Sequence, residues 1–125
     1  MLGSWISEER EEDICERYGV GPGDVRRFVD SADWLIYSAG RLASVLDIAG
    51  VQPALRDLRQ RVLYGIREEL LELVSLKGVG RVRARNLFRE GYKTLEIVRK
   101  ASEKKLAEVP TIGPLIAASI LKQLG

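Results

Sequence analysis

Two stretches of this chain repeat each other at a fixed distance, and this repeat constrains the fold more than any other feature. A shift of 33 residues lays Leu73 on Leu106, Leu76 on Val109, Val79 on Ile112, Gly80 on Gly113, Ala84 on Ala117, Leu87 on Ile120 and Phe88 on Leu121. Internal similarity at a constant period means one supersecondary unit used twice. In the first copy, apolar positions at 73 and 76 end one helical pattern, Gly78-Val79-Gly80 turns the chain, and Ala84, Leu87 and Phe88 continue a second helix. Glycine permits positive φ at such a turn and lets a ligand approach the backbone.

The second helix begins at the turn, so its unpaired N–H groups and positive dipole end face outward and form a site for an anion such as phosphate. Lys77, Arg81, Arg83 and Arg85 surround it. This spacing resembles the helix-hairpin-helix motif of DNA-binding proteins. The second copy has Thr111 in place of Gly78, and Pro110 and Pro114 flank its turn. Proline suits the first turn of a helix but removes an amide that would face a phosphate. The first hairpin is therefore expected to carry the phosphate contact through Lys77, Gly78, Val79, Gly80, Arg81, Arg83 and Arg85. The second is expected to bind more weakly, or to be structural.

Charge is distributed to match. The net charge is only +2, but residues 1–19 hold six acids against Arg10 and Arg17. The span 77–105 holds ten basic residues against Glu90, Glu96 and Glu103. A basic block on a phosphate-binding turn is the footprint of a nucleic-acid partner. Other classes are disfavoured. With no histidine and one cysteine, the chain lacks the commonest general base, the commonest zinc ligand and any disulfide framework. No apolar run is long enough for a membrane span and no signal peptide is visible, so no membrane partner and a cytoplasmic, nucleoid-associated location are expected.

Helical periodicity runs throughout, which predicts an all-α fold: a helical bundle over 1–74 and a tandem helix-hairpin-helix domain over 75–125. Short helices are expected near 8–18 and from Pro53 to Tyr64, with Asp24 as N-cap of a long helix at 25–46. A further helix should run from Ile66 into the first hairpin. The long helix places apolar residues at 25, 28, 29, 32, 35, 36, 39, 42, 43 and 46, a 3.6-residue period. Leu35, Ile36, Leu42, Leu87, Phe88, Ile120 and Leu121 are expected in the core. At about 100° per residue, Arg27, Trp34 and Arg41 share the opposite face. Trp34 between two arginines reads either as a base-stacking platform for single-stranded nucleic acid or as a residue packed on another helix or on a missing domain. Periodicity does not choose between them.

The segments GPGDVRRFVDSADWLIYSAGRLA, RVLYGIREELLELVSLKGVGRVRAR and the second hairpin closely resemble the C-terminal end of the archaeal Holliday-junction-migration helicases, relatives of the animal helicase-Q proteins. The resemblance extends from about Trp5 to Gly125. It implies that the long helix is the ratchet of an ATP-dependent 3'-5' DNA helicase acting on forked or branched DNA in replication repair and recombination. It further implies that Arg27 and Trp34 touch the translocating strand, and that the Arg-Ala-Arg motif at 83–85 belongs to a terminal domain gripping the emerging strand. The family's ATPase needs a GxxxxGK[ST] loop, which is absent here. The chain by itself is therefore expected not to be an enzyme and to hold no cofactor, ATP and Mg²⁺ belonging to absent motor domains. The expected partners are single-stranded or forked DNA, those motor domains, and replication or repair proteins. Two other classes stay open. A helix-hairpin-helix glycosylase would need a catalytic aspartate beyond the hairpin, and no Asp or Glu follows Gly113. A freestanding module for protein–protein interaction is the other alternative.

Overall fold

A computed structural model describes residues 1–125 and contains helices and turns only. The chain divides into two compact units, Met1–Glu68 and Glu69–Gly125, ahead of the expected boundary at 74/75.

The first unit holds α1 (Leu2–Ile6), α2 (Glu11–Tyr18), α3 (Pro22–Val45) and α4 (Gln52–Tyr64). Glu11, Glu12 and Asp13 sit in the first turn of α2, where the helix dipole favours negative charge. Gly19, at φ +65°, ends that helix in the left-handed conformation. The long helix starts three residues earlier than expected. Pro22 occupies its first turn, and Asp24 caps it from inside: the Gly21 amide donates to the Asp24 carboxylate at 2.9 Å. Pro53 lies in the first turn of α4. Gly65, at φ +66°, ends α4, and the Trp5 ring lies where a Cβ on residue 65 would have to go. Trp5 is fixed there by its indole N–H, which donates to the Val62 carbonyl at 2.7 Å.

The core of this unit is Ile14, Val25, Val29 and Val62, with Leu2, Trp5, Ile6, Ile36 and Leu63 packed against it. The apolar stripe of α3 is only partly used. Val25, Val29 and Ala43 are buried, but Leu35 is 65% and Leu42 59% exposed, with Phe28 and Leu46 also exposed. The expectation that Leu35 and Leu42 are core is therefore corrected. The stripe is wider than the surface α1, α2 and α4 present to it, and those partners take one flank only.

The second unit opens with two 3-10 turns, Glu68–Leu70 (whose first residue closes the first unit) and Leu73–Ser75, where a helix from Ile66 was expected. Four helices follow: α5 (Arg81–Arg89), α6 (Leu95–Lys100), α7 (Glu103–Ala107) and α8 (Gly113–Leu124). Thr94 and Ser102 cap α6 and α7 through their hydroxyls, which accept from the amides of Ile97 and Lys105. The 33-residue repeat reappears in the packing. Leu73 and Leu106, Leu76 and Val109, Val79 and Ile112, Ala84 and Ala117, and Leu87 and Ile120 are buried in both copies. Phe88 and Leu121 are half-buried in both, and Val82 and its counterpart Leu115 are exposed in both. A tandem repeat that shares one core must bury the same register twice, and this one does.

Candidate nucleic-acid interface

The first hairpin turn departs from its sequence reading in one respect. Gly78 takes φ +83°, but Gly80 is extended at φ −100° and serves as N-cap of α5. The amides of Gly78 and Gly80 donate to no acceptor within the protein. A Cβ at either glycine would meet nothing within 4 Å. The turn therefore presents open backbone donors beside the N-terminus of a nine-residue helix, the geometry that receives phosphate. Val79 lies inside this turn but faces inward. Its side chain is buried and its amide donates to the Leu76 carbonyl at 3.2 Å, so it anchors the turn.

The surrounding cations divide by what holds them. Lys77 has an exposed side chain, while its backbone is clamped: Gln123 accepts from the Lys77 amide at 2.8 Å and donates to its carbonyl at 3.1 Å. Arg83 donates to the carbonyls of Gly78 (2.8 Å) and Thr111 (3.0 Å), so its guanidinium bridges the two hairpin turns. Arg85 is only 18% exposed, pairs with Glu69 at 2.9 Å and lies over the Phe88 ring at 5.0 Å. Arg81 is half-buried at the start of α5. Arg83 is thus held at the turn, the exposed Lys77 side chain adjoins it in sequence, and Arg85 is engaged by Glu69 and Phe88 on a different face of α5.

The second hairpin keeps the left-handed backbone without the glycine. Thr111 takes φ +71° where Gly78 takes +83°. This is costly for a β-branched residue. Asn86 offsets the cost by donating its side-chain amide to the Pro110 carbonyl at 3.0 Å and the Thr111 hydroxyl at 3.1 Å. Asn86 and Gln123 thus act reciprocally, each pinning the other hairpin's turn. Neither stood out in the sequence, because a polar residue on a helix reads as solvent-facing until its partner is known.

On α3 in the first unit, Arg27, Trp34 and Arg41 are exposed, Trp34 at 66%. Arg27 is ion-paired with Asp24 one turn earlier. Arg41 donates to the Tyr37 hydroxyl at 3.3 Å. Tyr37 was missed in the sequence, although three residues beyond Trp34 is the same helix face. Its ring is half-exposed and carries the Arg59 guanidinium at 5.2 Å. The Asp33 carboxylate, hydrogen-bonded to Arg59, raises that guanidinium above its ordinary pKa. The face is a row of two aromatics and several cations, a pattern suited to stacking bases and holding phosphates.

An all-helical bundle followed by a two-fold hairpin repeat defines the class, an all-α chain with a tandem helix-hairpin-helix. Residues 1–65 match the family described as archaeal helicase, domain 4, and residues 70–125 match the SAM-like helix-hairpin-helix tandem. The chain belongs to the archaeal helicase domain 4 family. It is 46% identical to the ATP-dependent DNA helicase Hel308 of Pyrococcus abyssi over 126 residues, covering 100% of this chain and 18% of that protein. The Hel308 of Caldivirga maquilingensis is 48% identical over 124 residues, covering 98% and 16%. The Hel308 of Methanocella arvoryzae is 39% identical over 121 residues, covering 97% and 16%. The chain thus corresponds to less than a fifth of the length of these relatives, in their C-terminal region. No helix is long and apolar enough to cross a membrane.

Proposed function

We propose that this chain is the strand-gripping part of an ATP-dependent DNA helicase that acts on forked or branched DNA in replication repair and recombination. The carrying observation is Trp34, exposed between Arg27 and Arg41 on one face of a 24-residue helix. A large aromatic left in solvent forgoes burial worth about 1.5–3 kcal/mol, so its place on the surface calls for a partner. A base offers a stacking energy of about 1–3 kcal/mol. The hairpin at 77–83 would hold the phosphate backbone through open amides and local positive charge, without reading sequence. ATP and Mg²⁺ would act in motor domains on the remainder of a longer polypeptide. The exposed flank of α3, with Phe28, Leu35, Leu42 and Leu46, fits docking against that remainder.

The test is binding of labelled single-stranded, duplex and forked DNA across a salt series. Affinity should fall steeply, with a log–log slope of about −0.7 per phosphate contact on single strands. Binding that is insensitive to salt would overturn the reading. It would favour the second one, a module for a replication or repair protein. The observation behind that alternative is the exposed pair Val82 and Leu115 at matching positions of the two hairpins.

A further inference from the structure

The row of groups on α3 continues past Trp34 into a cleft between the second half of α3 and the first half of α4. The cleft has a volume of about 500 Å³, within the range of small-ligand sites. Ile36 and Leu55 give it an apolar wall, and Tyr37, Arg41, Arg56 and Arg59 line the rest, with Asp47 as the one carboxylate. The four polar groups divide by what already holds them. Arg59 is held by Asp33 and lies over the Tyr37 ring. Arg41 touches only the Tyr37 hydroxyl. Arg56 is exposed and has neither a hydrogen bond nor an ion pair within the protein. The tyrosine is thus fixed on its face by one cation and on its hydroxyl by a second, while remaining half-exposed. Two arginines without a carboxylate partner stand at the rim.

We propose that this cleft receives one nucleotide of a single strand, its base against Tyr37 and its phosphate between Arg41 and Arg56. An immobilised aromatic loses little entropy when a base stacks on it, and an unpaired guanidinium binds phosphate without first breaking an ion pair. Residues three apart on a helix have Cβ atoms about 5–6 Å apart, so Trp34 and Tyr37 are placed to take neighbouring bases. The proposal rests on the single-strand reading above and adds to it a specific second stacking site.

The experiment measures fluorescence anisotropy of a labelled fifteen-residue oligothymidine with the 125-residue chain, across a salt series. The variants are Trp34→Ala, Tyr37→Leu, Arg56→Ala and Arg56→Lys, with circular dichroism to confirm the fold. Tyr37→Leu should weaken binding about fivefold or more, as loss of a stacked base requires. Arg56→Ala should lower the salt slope by about 0.7, one single-strand phosphate contact, and Arg56→Lys should restore it. Arg56 has no internal partner, so its removal tests the cleft even if Tyr37→Leu unfolds. Free thymidine monophosphate at equal nucleotide concentration should not compete, and effective competition would make this a mononucleotide pocket instead. If Trp34→Ala weakens binding while Tyr37→Leu and Arg56→Ala match the parent in affinity and slope, the cleft lies off the strand and the proposal is wrong. If the parent does not bind, or Trp34→Ala has no effect, the single-strand reading itself fails and the cleft proposal fails with it.

Discussion

At the scale of single residues, several side chains carry more than their type suggests. Gly65 must hold φ +66° and leave room for the Trp5 ring. An alanine there meets a left-handed penalty of about 1–2 kcal/mol and a clash with an indole already anchored to Val62. Gly65→Ala should lower stability by more than about 2 kcal/mol in urea unfolding, and a neutral result would mean that Trp5 can move away. Arg83 was read from the sequence as a phosphate clamp. Its bonds to the carbonyls of Gly78 and Thr111 give it a structural task as well. Arg83→Ala should therefore destabilise the chain by about 1–3 kcal/mol as well as weaken DNA binding. A variant that melts like the parent would return Arg83 to a purely ligand-facing role. Residue type and spacing made these arginines legible as a cluster. The division of labour among them was not legible, because Glu69, Asn86 and Gln123 become partners only through the fold.

At the scale of elements, period and repeat were the readable signals. The 3.6-residue pattern of α3 and the 33-residue register of the hairpins both reappear as helices and buried pairs. The pattern could not tell which flank of a broad stripe finds a partner, so Leu35 and Leu42 proved exposed while Leu87 and Ile120 are fully buried. The stability consequences differ accordingly. Leu87→Ala should cost about 2–5 kcal/mol, and Leu35→Ala should stay within about 0.5 kcal/mol of the parent. Equal losses at both positions would show that the flank is covered in solution, for instance by a second copy. The stretch from Ile66 into the first hairpin was read as helix because its leucines are helically spaced. It instead forms two short 3-10 turns, Glu68–Leu70 and Leu73–Ser75, between Gly65, which ends α4, and the turn at Gly78. The two hairpin turns also differ in kind. Gly78 and Gly80 carry no side chain at the turn, whereas the Thr111 side chain is held by Asn86 and Pro114 has no amide to offer. Titration of the chain with inorganic phosphate, followed by NMR, should shift the amides of Gly78 and Gly80 most. Shifts centred on Thr111 to Leu115 would assign the working hairpin to the other copy.

At the scale of the whole molecule, two compact units carry two kinds of exposed feature: aromatics with cations on α3, and open backbone donors at the first hairpin. Backbone contacts supply affinity without regard to base, so a strand can pass through them in any sequence. Stacking is also tolerant of sequence, because every base has a π-face. Positive charge is concentrated on residues 77–105 and acidic residues before position 20, which favours a phosphate backbone at the hairpin. Stacking of Trp34 on single-stranded DNA is read by the fluorescence of Trp34 itself. Trp5 is the one other tryptophan, so the measurement uses a Trp5→Phe background, which loses the bond to Val62 and part of the ring packed near Gly65 and is checked for its fold by circular dichroism. On adding oligothymidine, the remaining emission should quench saturably, and the quench should reverse as salt is raised. Emission that stays unchanged while DNA demonstrably binds elsewhere on the chain would show that Trp34 does not stack on the strand.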